Sequence, residues 1–64
     1  MKINTGRIKS TLAMKGKTNE AAANEAGISQ NKFRRILYQG KCDPISLGRI
    51  ARVLGVEPWE LVET

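Results

Sequence analysis

"NEAAANEAGISQNKFRRI", residues 19–36, decides how this chain reads. Alanines crowd its first half, Gly27 interrupts it, and two arginines stand between apolar residues in its second half. Side chains that small cannot fill a core, but they let two backbones approach. Two helices joined by about three residues must cross steeply, and their axes come close only where side chains are small. Ala22, Ala23 and Ala26 supply the smallness, with Ala23 expected at the closest point. Gly27 would carry the chain through a left-handed conformation that is costly for other residues, and Ile28, Phe33 and Ile36 would seal the joint. Helix propensity alone explains a run of alanines. It does not explain a glycine four residues after Ala23, nor apolar residues ten and thirteen after it.

The flanking sequence continues in helical rhythm. In "NTGRIKSTLAMKG", Ile8 and Leu12 lie one turn apart, with Thr5 or Asn4 as a cap and Gly16 as a stop. Thr18 is the expected N-cap of the alanine helix, which is about two turns long, and Glu20 stands in its first turn where the helix dipole favours an anion. Ser29 would cap a third helix, "QNKFRRILYQ", whose Phe33, Ile36 and Leu37 share a face, and Gly40 would end it. After the turn "KCDP", Ser46 or Asp43 can cap a fourth helix with Leu47, Ile50, Ala51 and Leu54 at helical spacing. Pro58 opens a last helix of one or two turns, "WELVE", in which Trp59 and Val62 or Leu61 are offered for burial, Trp59 as a core anchor. No segment alternates like a half-buried strand. The expected fold class is all-α, five short helices in a single domain over residues 1–64.

Size and charge narrow the function. A chain of 64 residues buries only ~60% of its unfolded surface and keeps a few kcal/mol of stability. Eleven Lys and Arg face six Asp and Glu, a net charge of +5, and they are unevenly spread. Residues 1–41 hold nine cations and two anions, net +7; residues 42–64 hold two cations and four anions, net −2. A basic front and an acidic tail imply a polyanionic partner on one face, with nucleic acid foremost. Cys42 is the single cysteine, so no internal disulfide forms, and with no His the usual zinc clusters drop out. No metal, cofactor or small-molecule ligand is expected. No run approaches the ~18 apolar residues that span a bilayer, and the N-terminus lacks a secretion h-region, which points to a cytoplasmic protein.

The 19–36 pattern resembles the helix-turn-helix of the Cro and phage-repressor (XRE) family: small at Ala23, glycine at Gly27, apolar at Ile28, Phe33 and Ile36, with "AGIS" at the turn. "KGKTNEAAA" is similar to that family's entry into its second helix, and "ISLGRIARVLGVEPWELVE" to its closing pair of helices, so nearly the whole chain is covered. The resemblance implies a lambda-repressor-like bundle with its helix-turn-helix core at about residues 18–39. It further implies a transcription regulator that binds double-stranded DNA, commonly as a homodimer on a near-palindromic operator. Three departures stand out: Asn19 where Gln is common, Ala22 where Leu is usual, and "LYQG" one residue longer than the usual stretch before glycine.

On a helical wheel Phe33, Ile36 and Leu37 oppose Gln30, Asn31, Arg34 and Tyr38, giving the third helix a core face and a reading face. The major groove admits an α-helix and shows a distinct donor and acceptor pattern for each base pair. Gln30 or Asn31 can pair with adenine and Arg34 or Arg35 with guanine; for Arg35 a solvating or ion-pairing role weighs equally. The resemblance places reading at the N-terminal part of this helix, which adds Ser29 to the base-contact candidates. Lys17, Thr18 and Asn19 suit phosphate oxygens, because a helix start presents unpaired N–H groups and positive dipole. Lys32, Tyr38 and Lys41 complete the phosphate candidates. The C-terminal segment with Val56, Trp59 and Val62 is the candidate dimer surface.

Catalysis is not expected, since no nucleophile stands beside a base and no glycine loop cradles phosphate. The serious rival is a protein-binding module on the same scaffold, such as an antitoxin or anti-repressor. The basic outward side of the third helix argues against it, because a protein-binding face carries an apolar patch. The basic residues also fail to line one long amphipathic helix, as a membrane-surface peptide would require.

Overall fold

The computed structural model describes residues 1–63. Four α-helices form, α1 at Thr5–Lys15, α2 at Asn19–Ala26, α3 at Gln30–Gln39 and α4 at Pro44–Leu54, followed by a 3-10 turn at Pro58–Leu61. The fold is all-α, but the expected fifth helix is this single turn. Pro58 opens it, and the N–H of Val62 bonds to Trp59 O before Val62 leaves in extended conformation to pair with Ile3. That pairing stops any helix from continuing.

Every α-helix begins on a side-chain oxygen that accepts an N–H of the first turn: Asn4 to Arg7, Thr18 to Ala21, Ser29 to Lys32, and Asp43 to Ser46, at 3.0–3.1 Å. Asn4 rather than Thr5 caps α1. Asp43 rather than Ser46 caps α4, while Ser46 lies buried inside the helix. Each α-helix ends on a glycine of positive φ, so α3 runs to Gln39 and stops at Gly40. The length of "LYQG" is thus absorbed as ordinary helix.

The core gathers Ile8 and Leu12 from α1, Ala22 and Ala23 from α2, Phe33, Ile36 and Leu37 from α3, and Leu47, Ile50, Ala51 and Leu54 from α4. Helix α2 packs against both α3 and α4, which its alanines permit, and α4 packs against the 3-10 turn. Three residues, Gly27, Ile28 and Ser29, join α2 to α3. Ile28 is half-buried against the core rather than sealed within it.

Two core residues come from the chain ends. Ile3 and Leu61 are almost fully buried. Backbone bonds tie this closure together: Ile3 N–H to Gly40 O at 2.9 Å, Asn4 N–H to Leu61 O at 2.7 Å, Cys42 N–H to Met1 O at 3.1 Å, and Glu63 N–H to Lys2 O at 2.9 Å. Two isolated antiparallel bridges, Lys2 with Lys41 and Ile3 with Val62, result. Trp59 is the clear correction to the expected core. It is 72% exposed, because the 3-10 turn directs Leu61 inward and so rotates Trp59 outward.

Candidate nucleic-acid interface

Helix α3 buries Phe33, Ile36 and Leu37, half-buries Gln30 and leaves its other residues to solvent. At 100° per residue the middle of the outward face falls on Asn31, Arg35 and Tyr38, with Arg34 on one shoulder and Lys32 and Gln39 on the other. All six are exposed, Tyr38 at 93%. Arg35 therefore belongs to the outward face itself. No carboxylate among the described residues forms an ion pair with Arg34 or Arg35, so the ion-pairing role left open for Arg35 has no partner there, and a base-contacting and a solvating role both fit its exposure.

The start of α3 is fixed by Ser29. Its Oγ accepts the Lys32 N–H at 3.1 Å, which leaves the hydroxyl hydrogen free to donate outward. Gln30 is half-buried and shares a shallow cleft with Glu20 and Asn24 of α2. It lies toward α2, whereas Arg35 and Gln39 line a groove on the opposite flank with Asn31, Lys32 and Lys41. The two flanks of α3 thus face different elements.

At the α2 flank, Thr18 Oγ1 accepts the Ala21 N–H at 3.1 Å, and Thr18 and Asn19 are exposed. Thr18 is the N-cap and Asn19 the first residue of α2, so both stand at a helix start. Lys17, just before the N-cap, is half-buried, and its ammonium pairs with Glu25 of α2. Ion pairs of this exposure contribute about 0–1 kcal/mol, little enough for another anion to replace the carboxylate. On the other flank Lys32 Nζ lies 3.8 Å from Asp43 Oδ1. Asp43 keeps its charge, since hydrogen bonds from Ser46, side chain and backbone, hold its carboxyl below the usual range. Burial pushes the neighbouring Cys42 thiol up, with Asp43 adding to the effect, so it is a neutral thiol at pH 7.

Two cations escaped the sequence reading. Arg49 of α4 reaches the helix-turn-helix corner, where Nη1 donates to Gly27 O at 3.3 Å. It also lines a depression with Ser29 and Lys32 at the start of α3. Lys2 is carried beside Lys41 by the terminal closure. Neither has a local signal, because each depends on contacts between distant parts of the chain. A third long-range contact, Arg7 with Glu60 at 3.2 Å, joins α1 to the 3-10 turn.

Among the described residues no three His, Cys, Asp or Glu side chains gather as metal ligands. Among the described residues no helix is long and apolar enough to cross a membrane. Compared with known proteins, the chain matches no family model, no curated protein and no solved structure.

Proposed function

We propose that this chain is a sequence-specific double-stranded DNA-binding regulator of the Cro and phage-repressor kind, a lambda-repressor-like bundle that lays α3 in the major groove. One observation carries the reading: α3, anchored by Phe33, Ile36 and Leu37, turns Asn31, Arg34, Arg35 and Tyr38 outward, with no aliphatic side chain among them and the Tyr38 ring as the one aromatic. Ser29, Gln30, Asn31, Arg34 and Arg35 read base edges. Thr18 and Asn19 hold phosphate on the α2 flank, joined by Lys17 when phosphate displaces Glu25, and Lys32, Tyr38 and Lys41 hold it on the other. Affinity arises largely from phosphate neutralisation and falls steeply with salt.

A domain this small covers one half-site, so two copies bind about one helical turn apart. The exposed indole of Trp59, beside the half-buried Val56 and Val62, supports that segment as the surface between copies. The same exposure is what a protein-binding module would need, and it is the observation that keeps that second reading in play.

Selection of bound duplexes from a random pool tests the proposal. Two symmetric half-sites are expected, and replacing Asn31, Arg34 or Arg35 by Ala should relax preference at particular positions, each good base pairing discriminating by ~1–3 kcal/mol. A pool that shows no enrichment, while the protein retains a protein partner, would favour the second reading.

A further inference from the structure

We propose that Lys2 is a phosphate-binding residue, held by the terminal closure opposite Lys41 so that the two ammonium groups grip one stretch of DNA backbone beside α3. The inference rests on the DNA-binding reading and adds a residue to it.

The backbone geometry puts the two side chains together. Ile3 N–H bonds to Gly40 O and Cys42 N–H to Met1 O, so Lys2 and Lys41 face each other between those two bonds. That is the non-hydrogen-bonded position of an antiparallel pair, where facing residues approach most closely, with Cα atoms ~4.5 Å apart. Ile3 turns into the core, so by alternation Lys2 turns outward; both lysines are exposed.

Like charges directly opposite each other are destabilising. No carboxylate among the described residues forms an ion pair with Lys2 or Lys41. Glu63, whose backbone N–H donates to Lys2 O, runs along the other edge of Lys2 without pairing with it. Among the described residues the closure therefore sets two facing cations with no anion paired to either, an arrangement that a phosphodiester between them converts from repulsion to attraction.

Their position fits that ligand. Lys41 lines the groove that also holds Asn31, Arg35 and Gln39 of α3, on the flank opposite α2. A helix in the major groove is bordered by backbone on both sides. The start of α2 meets one side, and the Lys2–Lys41 pair meets the other.

The test uses the full chain, a random-sequence duplex and binding isotherms across a salt series, with thermal melting of each free protein. Lys2→Gln should weaken binding about tenfold at 0.1 M salt and flatten the salt slope by ~0.9, with base preference unchanged. Lys2→Glu should weaken binding further yet melt higher than the wild type, because it sets a carboxylate across from Lys41. Lys41→Gln should match Lys2→Gln, and the double variant should lose less than the two losses combined, as expected for a shared phosphate. If the wild type binds with a steep salt slope and Lys2→Gln keeps that slope, the Lys2 site is overturned and the DNA-binding reading stands. If the wild type binds no duplex at low salt, both fall.

Discussion

The α2–α3 corner and the terminal closure both hold α3 in place, but by different physics. At the corner, small side chains and one glycine let helices meet, and the capping bonds of Thr18 and Ser29 reach only three residues along the chain. At the closure, extended backbone at residues 1–4 is stitched to 40–42 and 61–63, with Ile3 and Leu61 as its buried pegs. The corner sets how α3 leaves α2; the closure fixes where α3 ends. Helix α3 is thus held at both of its ends, by helix packing at one and by backbone bonds at the other.

The comparison breaks most forcefully through buried side chains, Phe33 of α3 and Ile3 of the closure. Phe33→Ala should cost about 3–5 kcal/mol, most or all of the stability of so small a domain, and abolish cooperative melting by circular dichroism. Ile3→Ala should cost about 2–3 kcal/mol, because the chain end can collapse partly over the gap. Hydrogen exchange separates the two regions. In Ile3→Ala the amides of Ile3, Cys42 and Glu63 should lose protection first, while the Ile28 amide, bonded to Ala23 O at 3.1 Å, keeps its own. Simultaneous loss at both places would show that corner and closure are one cooperative unit.

That division also explains what could be read before the structure. Caps, helix stops and the Ala23–Gly27–Phe33–Ile36 spacing are local, so they announce themselves in a few consecutive residues. Trp59 could not be placed that way. Whether Trp59 or Leu61 turns inward depends on Val62 meeting Ile3, residues at opposite ends of the chain. Extended stretches as short as residues 2–3 also show no alternation by which a pairing segment is detected. At the interface, residue types and helix face were legible in α3. The commitments of individual cations were not, since Lys17 with Glu25, Arg7 with Glu60 and Arg49 with Gly27 are set by packing.

Glycine substitutions sharpen the comparison at smaller cost. Gly27 stands at the corner with φ +74° and Gly40 at the closure with φ +69°, so alanine at either is strained by about 1–2 kcal/mol. Their surroundings differ. A Cβ on Gly27 would lie 3.3 Å from Arg49 Nη1, while one on Gly40 meets nothing within 4 Å. Gly27→Ala should therefore cost a few tenths of a kcal/mol more, as Arg49 shifts and its bond to Gly27 O weakens. Urea denaturation of the two variants and of Arg49→Ala reads the difference. Equal costs for Gly27→Ala and Gly40→Ala would show that Arg49 yields freely and does not brace the corner.

Gly48 supplies the control, because neither reason for smallness applies to it. It lies inside α4 with ordinary helical φ, and a Cβ there meets nothing within 4 Å. Ala23 is small where helices touch and Gly27 is small where the backbone turns left-handed, yet Gly48 interrupts a helix in open space. Glycine inside a helix costs roughly 0.5–1 kcal/mol relative to alanine. Gly48→Ala should thus raise stability by that amount, a few degrees in melting temperature, and leave duplex affinity unchanged. The outward side of α4 around it carries Ile45, 71% exposed, with Arg49, Arg52 and Pro58 close by. Suppose the variant is more stable, binds a single half-site normally and binds paired half-sites worse. Gly48 would then be small for the same reason as Ala23, with the close approach coming from a second molecule rather than a second helix.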